Sequence, residues 1–141
     1  MNTGGKTYVV LSGVYPFIGT LGLDYIFYLP LTVRLWKKYK VDSIIILIGS
    51  RELWTKDQGV GKIVVEELEK LNCKLYFFDF HRKYTEITLA LVMRVFAACN
   101  IVSLKNEDVL ITSDSDLWPI DFQFLFTEAL EFLNMVNYDF I

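Results

Sequence analysis

A chain of 141 residues, 53% hydrophobic and 22% charged, is long enough for one compact domain with a continuous core and too apolar to be disordered. Its formal net charge of −3 excludes a broad basic surface for nucleic acid, so an anionic ligand needs a few placed cations or a metal. A single histidine, His81, and two distant cysteines, Cys73 and Cys99, exclude a structural zinc site, and the two thiols read as reduced and buried.

The short polar start, Met1–Lys6, lacks the charged-then-apolar form of a signal peptide. Tyr8–Leu11 is an apolar run that stops at Ser12-Gly13, which predicts a buried strand. A helix follows around Tyr25–Tyr39, beginning just before Pro30 or kinking there. Ile44–Ile48 is apolar at every position, as in a strand covered on both faces within a parallel sheet. Gly59 and Gly61 open a second helix, with Ile63, Val64, Leu68 and Leu71 expected on one face. Leu75–Phe78 reads as a third strand ending at Asp79. Thr85–Cys99 reads as a third helix, apolar nearly all round and therefore expected to be buried.

The longest apolar stretch, Ile87–Leu104, is interrupted by Arg94, Asn100 and Ser103. It reads as a core helix and a short linker, and no transmembrane segment is expected. Val109–Thr112 is a fourth strand that delivers Asp114 and Asp116 beyond its end. After Pro119, residues Phe122, Leu125, Phe126, Ala129, Leu130 and Leu133 recur at helical spacing, an apolar stripe suited to core packing or self-association.

Alternating strands and helices without a repeat or a linker predict a single domain over residues 1–141. The expected architecture is a three-layer α/β/α sandwich with a mainly parallel sheet. Such sheets bind ligands beyond the carboxyl ends of their strands, where Ser12–Gly19, Gly49–Trp54, Asp79–Tyr84 and Ser113–Trp118 are the candidate loops. Gly13 and Gly19 are too far apart for a dinucleotide fingerprint, and no acidic residue closes the second strand, which disfavours a nicotinamide enzyme.

Asp114 and Asp116, two apart after a strand, point to one side if the segment stays extended. Two carboxylates on one side can share a hard divalent cation that leaves positions open for a diphosphate. The competing reading is a pair of solvated loop carboxylates. Arg94 lies inside an apolar helix, so its charge must reach a partner or the surface. His81, Arg82 and Lys83 fall on one candidate loop; Trp36 reads as core, and Trp54 and Trp118 fall on loops where stacking on a ligand is conceivable.

Val109–Asp116, followed by Leu117-Trp118-Pro119, resembles the strand, Ser, Asp-x-Asp, apolar, aromatic, Pro segment of GT-A-type glycosyltransferases. Arg94-Val95-Phe96-Ala97-Ala98 is similar to the Arg-x-x-Ala helix that precedes that motif in several such families. The likeness covers about Tyr8 to Pro119 and is sharp only over Ser113–Asp116. It implies a nucleotide diphosphate sugar as ligand, most simply a UDP-sugar, with Mn2+ or Mg2+ as cofactor and an unassigned glycan, protein or lipid acceptor. By position it implies that Asp116 is the main metal ligand. Asp114 would contact the ribose, or the metal through water. Ser115 would add a hydroxyl or backbone N–H. Ser12, Gly13 and Tyr15 would line the nucleoside pocket, and Arg94 or Arg82 would approach the diphosphate.

The resemblance also implies a fold that continues past the acidic pair into an acceptor-binding half. No histidine follows Asp116 here, so the chain is expected to be a fragment, a domain of a larger protein or a degenerate copy. A complete chain would be cytoplasmic; a fragment would be compatible with the lumen of the secretory pathway. Two other readings compete: a non-catalytic α/β binding module, and a phosphohydrolase of the haloacid dehalogenase type. The latter puts its Asp-x-Asp after the first strand, with Thr or Val where Trp118 stands here.

Overall fold

In a computed structural model, residues 4–14, 25–56, 59–79, 85–101 and 103–119 are described. Four strands form one all-parallel sheet in the order β3-β2-β1-β4: β1 Thr7–Val14, β2 Asp42–Ile48, β3 Lys74–Phe78 and β4 Val109–Thr112. Between them lie α1 Leu29–Lys38, α2 Arg51–Thr55, α3 Val60–Lys70, α4 Glu86–Val95 and α5 Ala97–Asn100. The α/β class with a parallel sheet is as the sequence pattern implies.

The period-2 alternation of the two central strands divides the core into two layers. Val9, Leu11, Ile45 and Leu47 face Leu29, Val33 and Trp36 of α1, Trp54 of α2, and Val64, Val65 and Leu68 of α3. Tyr8, Val10, Ile44, Ile46 and Ile48 face the other way, onto Ala90, Ala97 and Ile101. Helices therefore cover both faces, and every residue from Ser43 to Ile48 is buried.

Local chemistry explains the element ends. A 3₁₀ turn, Tyr25–Tyr28, leads into α1, whose first turn holds Pro30, where a missing N–H costs nothing. The Ser50 hydroxyl caps α2 by accepting from Leu53 N at 3.1 Å, and Thr85 caps α4 by accepting from Thr88 N at 3.3 Å. After α1 and α3 the chain turns through left-handed residues, Lys40 (φ 59°) and Asn72 (φ 56°). Gly49, at φ 107°, makes the turn from β2 into α2 that a side chain would strain.

Four expectations are corrected. Ser12 and Gly13 do not end β1 but lie inside it, the strand running on to Val14. Ile63 is 58% exposed, and Val65 takes the inward place on α3. The helix expected over Thr85–Cys99 breaks at Phe96 and is not buried: Ala90 is its one buried residue in α4, while Ile87, Leu91, Val92 and Val95 are exposed. The reason is geometric, because α4 lies across β1 and β2 and only one side of a helix meets a sheet. Of the two thiols, both free, Cys73 is half-buried and Cys99 exposed. No helix among the described residues is long and apolar enough to cross a membrane.

Candidate functional site

The strand order places the sheet's reversal between β1 and β4: the chain moves from β1 to β2 to β3, then crosses back to the far side of β1. In open parallel sheets the crevice beyond the strand ends at such a reversal is the ligand position. Unequal strand lengths open it here. The β1–β4 pairing ends at Val10 opposite Thr112, and Ser113 N donates the last bond of the ladder to the Val10 carbonyl at 3.2 Å. β1 continues four residues further to Val14, so Ser12, Gly13 and Val14 form one wall of a cleft of about 290 Å³. That volume is near the lower end for small-molecule sites.

The opposite wall is Asp114-Ser115-Asp116, and the side is closed by Ile87, Ala90, Leu91 and Arg94 from α4, with Ile26 from the 3₁₀ turn. The acidic segment is not extended, as the spacing argument assumes. Leu117 N donates to the Asp114 carbonyl at 3.2 Å and closes a turn over the three residues. Asp and Ser favour turns because their side chains compete for nearby backbone groups.

This turn is held from both helical layers. From α1, the fully buried Thr32 hydroxyl donates to the Ser115 carbonyl. From α4, Arg94 Nη1 donates to the Ser113 carbonyl and to Asp114 Oδ1, the latter at 2.7 Å. The Arg94 side chain is 11% exposed and the Asp114 side chain 63%. Arg94 Nε is buried without a hydrogen-bond partner.

Six of the residues expected from sequence thus converge on one cleft: Ser12, Gly13, Arg94, Asp114, Ser115 and Asp116. Tyr15, His81, Arg82 and Lys83 lie outside the described residues. Trp54 does not belong to the site. It is 1% exposed, and its Nε1 donates to the Ile48 carbonyl at 2.8 Å, so it plugs the core beneath α2. Gly13 fits the same packing: a Cβ there would lie 2.8 Å from Leu29 Cδ1 and 3.3 Å from the Trp54 ring.

Sequence reasoning missed Thr32 and the apolar wall. Both left a signal. Ile87, Ala90, Leu91 and Arg94 fall at i, i+3, i+4 and i+7, the spacing of one helix face. Thr32 is the lone hydroxyl in an apolar helical stretch.

Two carboxylates against one guanidinium leave one net negative charge among the described cleft residues. Among those residues no group of three or more His, Cys, Asp or Glu converges to hold a metal. Asp114 is already paired with Arg94, which leaves Asp116, exposed and lining the cleft, as the carboxylate better able to take a cation. A single carboxylate suits an ion that keeps its waters and completes its shell with ligand phosphates. Comparison with models of known families, with curated proteins and with solved structures finds no match for this chain.

Proposed function

We propose that this domain binds a nucleotide diphosphate sugar together with Mn2+ or Mg2+, as the donor-binding part of a GT-A-type glycosyltransferase. The observation that supports the reading most is the meeting of Ser12-Gly13 with Asp114-Ser115-Asp116 at the reversal of the sheet. The end of the first strand is where the resemblance would put the base, and the acidic turn is where it would put the metal.

On this reading each group has a distinct task. Asp116 would hold the divalent cation. When bound, the cation neutralises charge on the departing diphosphate. Asp114, oriented by Arg94, accepts hydrogen bonds from ribose or sugar hydroxyls rather than serving as the principal ligand. Arg94 lines the cleft and places a positive charge beside an anionic ligand. Ile26, Ile87 and Leu91 give the cleft an apolar side against which a ligand can pack. The haloacid dehalogenase alternative fits less well, since β1 carries no carboxylate at its carboxyl end.

The test is a calorimetric titration of UDP and UDP-sugars into the protein with Mn2+, then with EDTA, using Asp116→Ala as the control. Binding that requires both the metal and Asp116 supports the reading. Equal binding with EDTA assigns the cleft to a metal-independent ligand. No binding to the folded protein leaves the acidic turn as surface carboxylates.

A further inference from the structure

Three tryptophans occupy very different places. Trp36 is 4% exposed and Trp54 1%, while Trp118 is 44% exposed. Trp118 is not a loose side chain. It follows the Asp114–Leu117 turn directly and precedes the buried Pro119. Its ring sits 6.3 Å from that of Tyr28, tilted by 57°, and Tyr28 in turn meets Phe27 edge-on at 6.0 Å. Tyr28 is the residue from which α1 starts, and Thr32, one turn later, holds the Ser115 carbonyl. The aromatic pair is thus braced by the same contacts that fix the acidic turn. Along the chain, Trp118 and Tyr28 each lie two residues from a residue that lines the cleft, Asp116 and Ile26.

An exposed indole held rigidly costs free energy in water and offers a flat π-face with little entropy to lose on binding. The acidic turn that directly precedes it adds hydrogen-bond acceptors. A pyranose presents the matching chemistry, with C–H groups on one face and hydroxyls around the edge. We propose that Trp118 and Tyr28 form a carbohydrate subsite beside the acidic turn, on which a sugar ring stacks. Taken with the donor-binding reading, on which this assignment of role rests, it is the acceptor subsite and makes the acceptor a glycan.

The reporter is built in, because Trp118 is the only tryptophan that a quencher in solvent reaches freely. Acrylamide quenching of tryptophan fluorescence is measured with cellobiose, lactose and N,N′-diacetylchitobiose at millimolar concentrations, with EDTA and no nucleotide. At saturation by at least one of these sugars the quenching constant is expected to fall by about half, as one ring face is covered. Tyr28→Ala, which keeps the reporter, weakens that sugar about two- to tenfold. Saturation-transfer NMR on the sugar C–H signals gives a second reading in which Trp118→Ala, checked for fold by circular dichroism, loses transfer.

Failure of all three sugars to protect Trp118 overturns the proposal. So does protection that arises only with UDP and Mn2+, which gives the ring to the donor. Sugar binding alongside a blank UDP titration keeps the subsite and sinks the transferase reading. UDP binding without sugar binding does the reverse.

Discussion

Replacing Arg94 by Met tests how the acidic turn is held. Met keeps most of the aliphatic stem that packs along α4 and removes the charge. Two interactions are lost. The hydrogen bond to the Ser113 carbonyl, on a residue only 8% exposed, leaves a buried acceptor unpaired and costs about 1.5–3 kcal/mol. The ion pair with Asp114, whose side chain is 63% exposed, is screened and contributes under about 1 kcal/mol. The sum, about 1.5–4 kcal/mol, lowers the melting temperature by roughly 5–14 °C for a domain of this size. Urea unfolding of Arg94→Met, Asp114→Asn and the double variant separates the two contributions, and the coupling between the sites is expected to stay under about 1 kcal/mol. Stability within about 0.5 kcal/mol of the parent refutes the argument. A coupling that carries the whole loss refutes the division, because the carbonyl bond would then contribute nothing.

Gly13→Ala pushes a methyl group toward Leu29 and Trp54, costs about 1–3 kcal/mol by overpacking, and shows as a lower urea midpoint. The N–H groups of Lys105 and Lys6 donate to Asp108, at 2.9 and 2.8 Å, and hold its carboxyl below the usual range. A depressed pKa contributes stability that is present above the unfolded value and lost as pH falls through the folded one. Acid unfolding below about pH 4 should therefore shift less with pH in Asp108→Asn than in the parent. Burial pushes the Cys73 thiol up to about 11, so a thiol reagent at pH 8 should label the exposed Cys99 first and Cys73 only on unfolding, as peptide mapping would show.

How much of this was legible in sequence follows from what each signal measures. The run Ile44–Ile48 announced a doubly covered strand because apolarity at every position has one structural meaning in a parallel sheet. Pro30 marked the start of α1, since proline fits the first turn of a helix and not its interior. Ser12, Gly13 and Asp114–Asp116 could be assigned to one end of the sheet, because parallel strands all deliver their carboxyl ends to the same edge.

Other features were hidden because sequence records apolarity without recording what covers it. The Thr85–Cys99 segment is apolar all round, yet most of α4's large side chains face outward, and only the strand order tells which side meets the sheet. Trp54 follows a glycine-serine turn and reads as a loop residue. The five-residue helix that swings it under the strand ends is too short to leave a periodic pattern. The Asp114–Asp116 spacing was interpreted with strand geometry, although Asp-Ser-Asp is itself turn chemistry. The observed turn changes the two carboxylates from equal partners into one paired with Arg94 and one left to the cleft.

The most direct test of the central claim is paramagnetic broadening by Mn2+ of assigned backbone amides, recorded with and without UDP. A cation held by Asp116 in this cleft produces broadening centred on Ser12, Gly13 and Asp114–Asp116 that strengthens sharply when UDP is added and disappears in Asp116→Ala. Broadening centred instead on the Glu66, Glu67 and Glu69 face of α3, or unchanged by UDP, would contradict it.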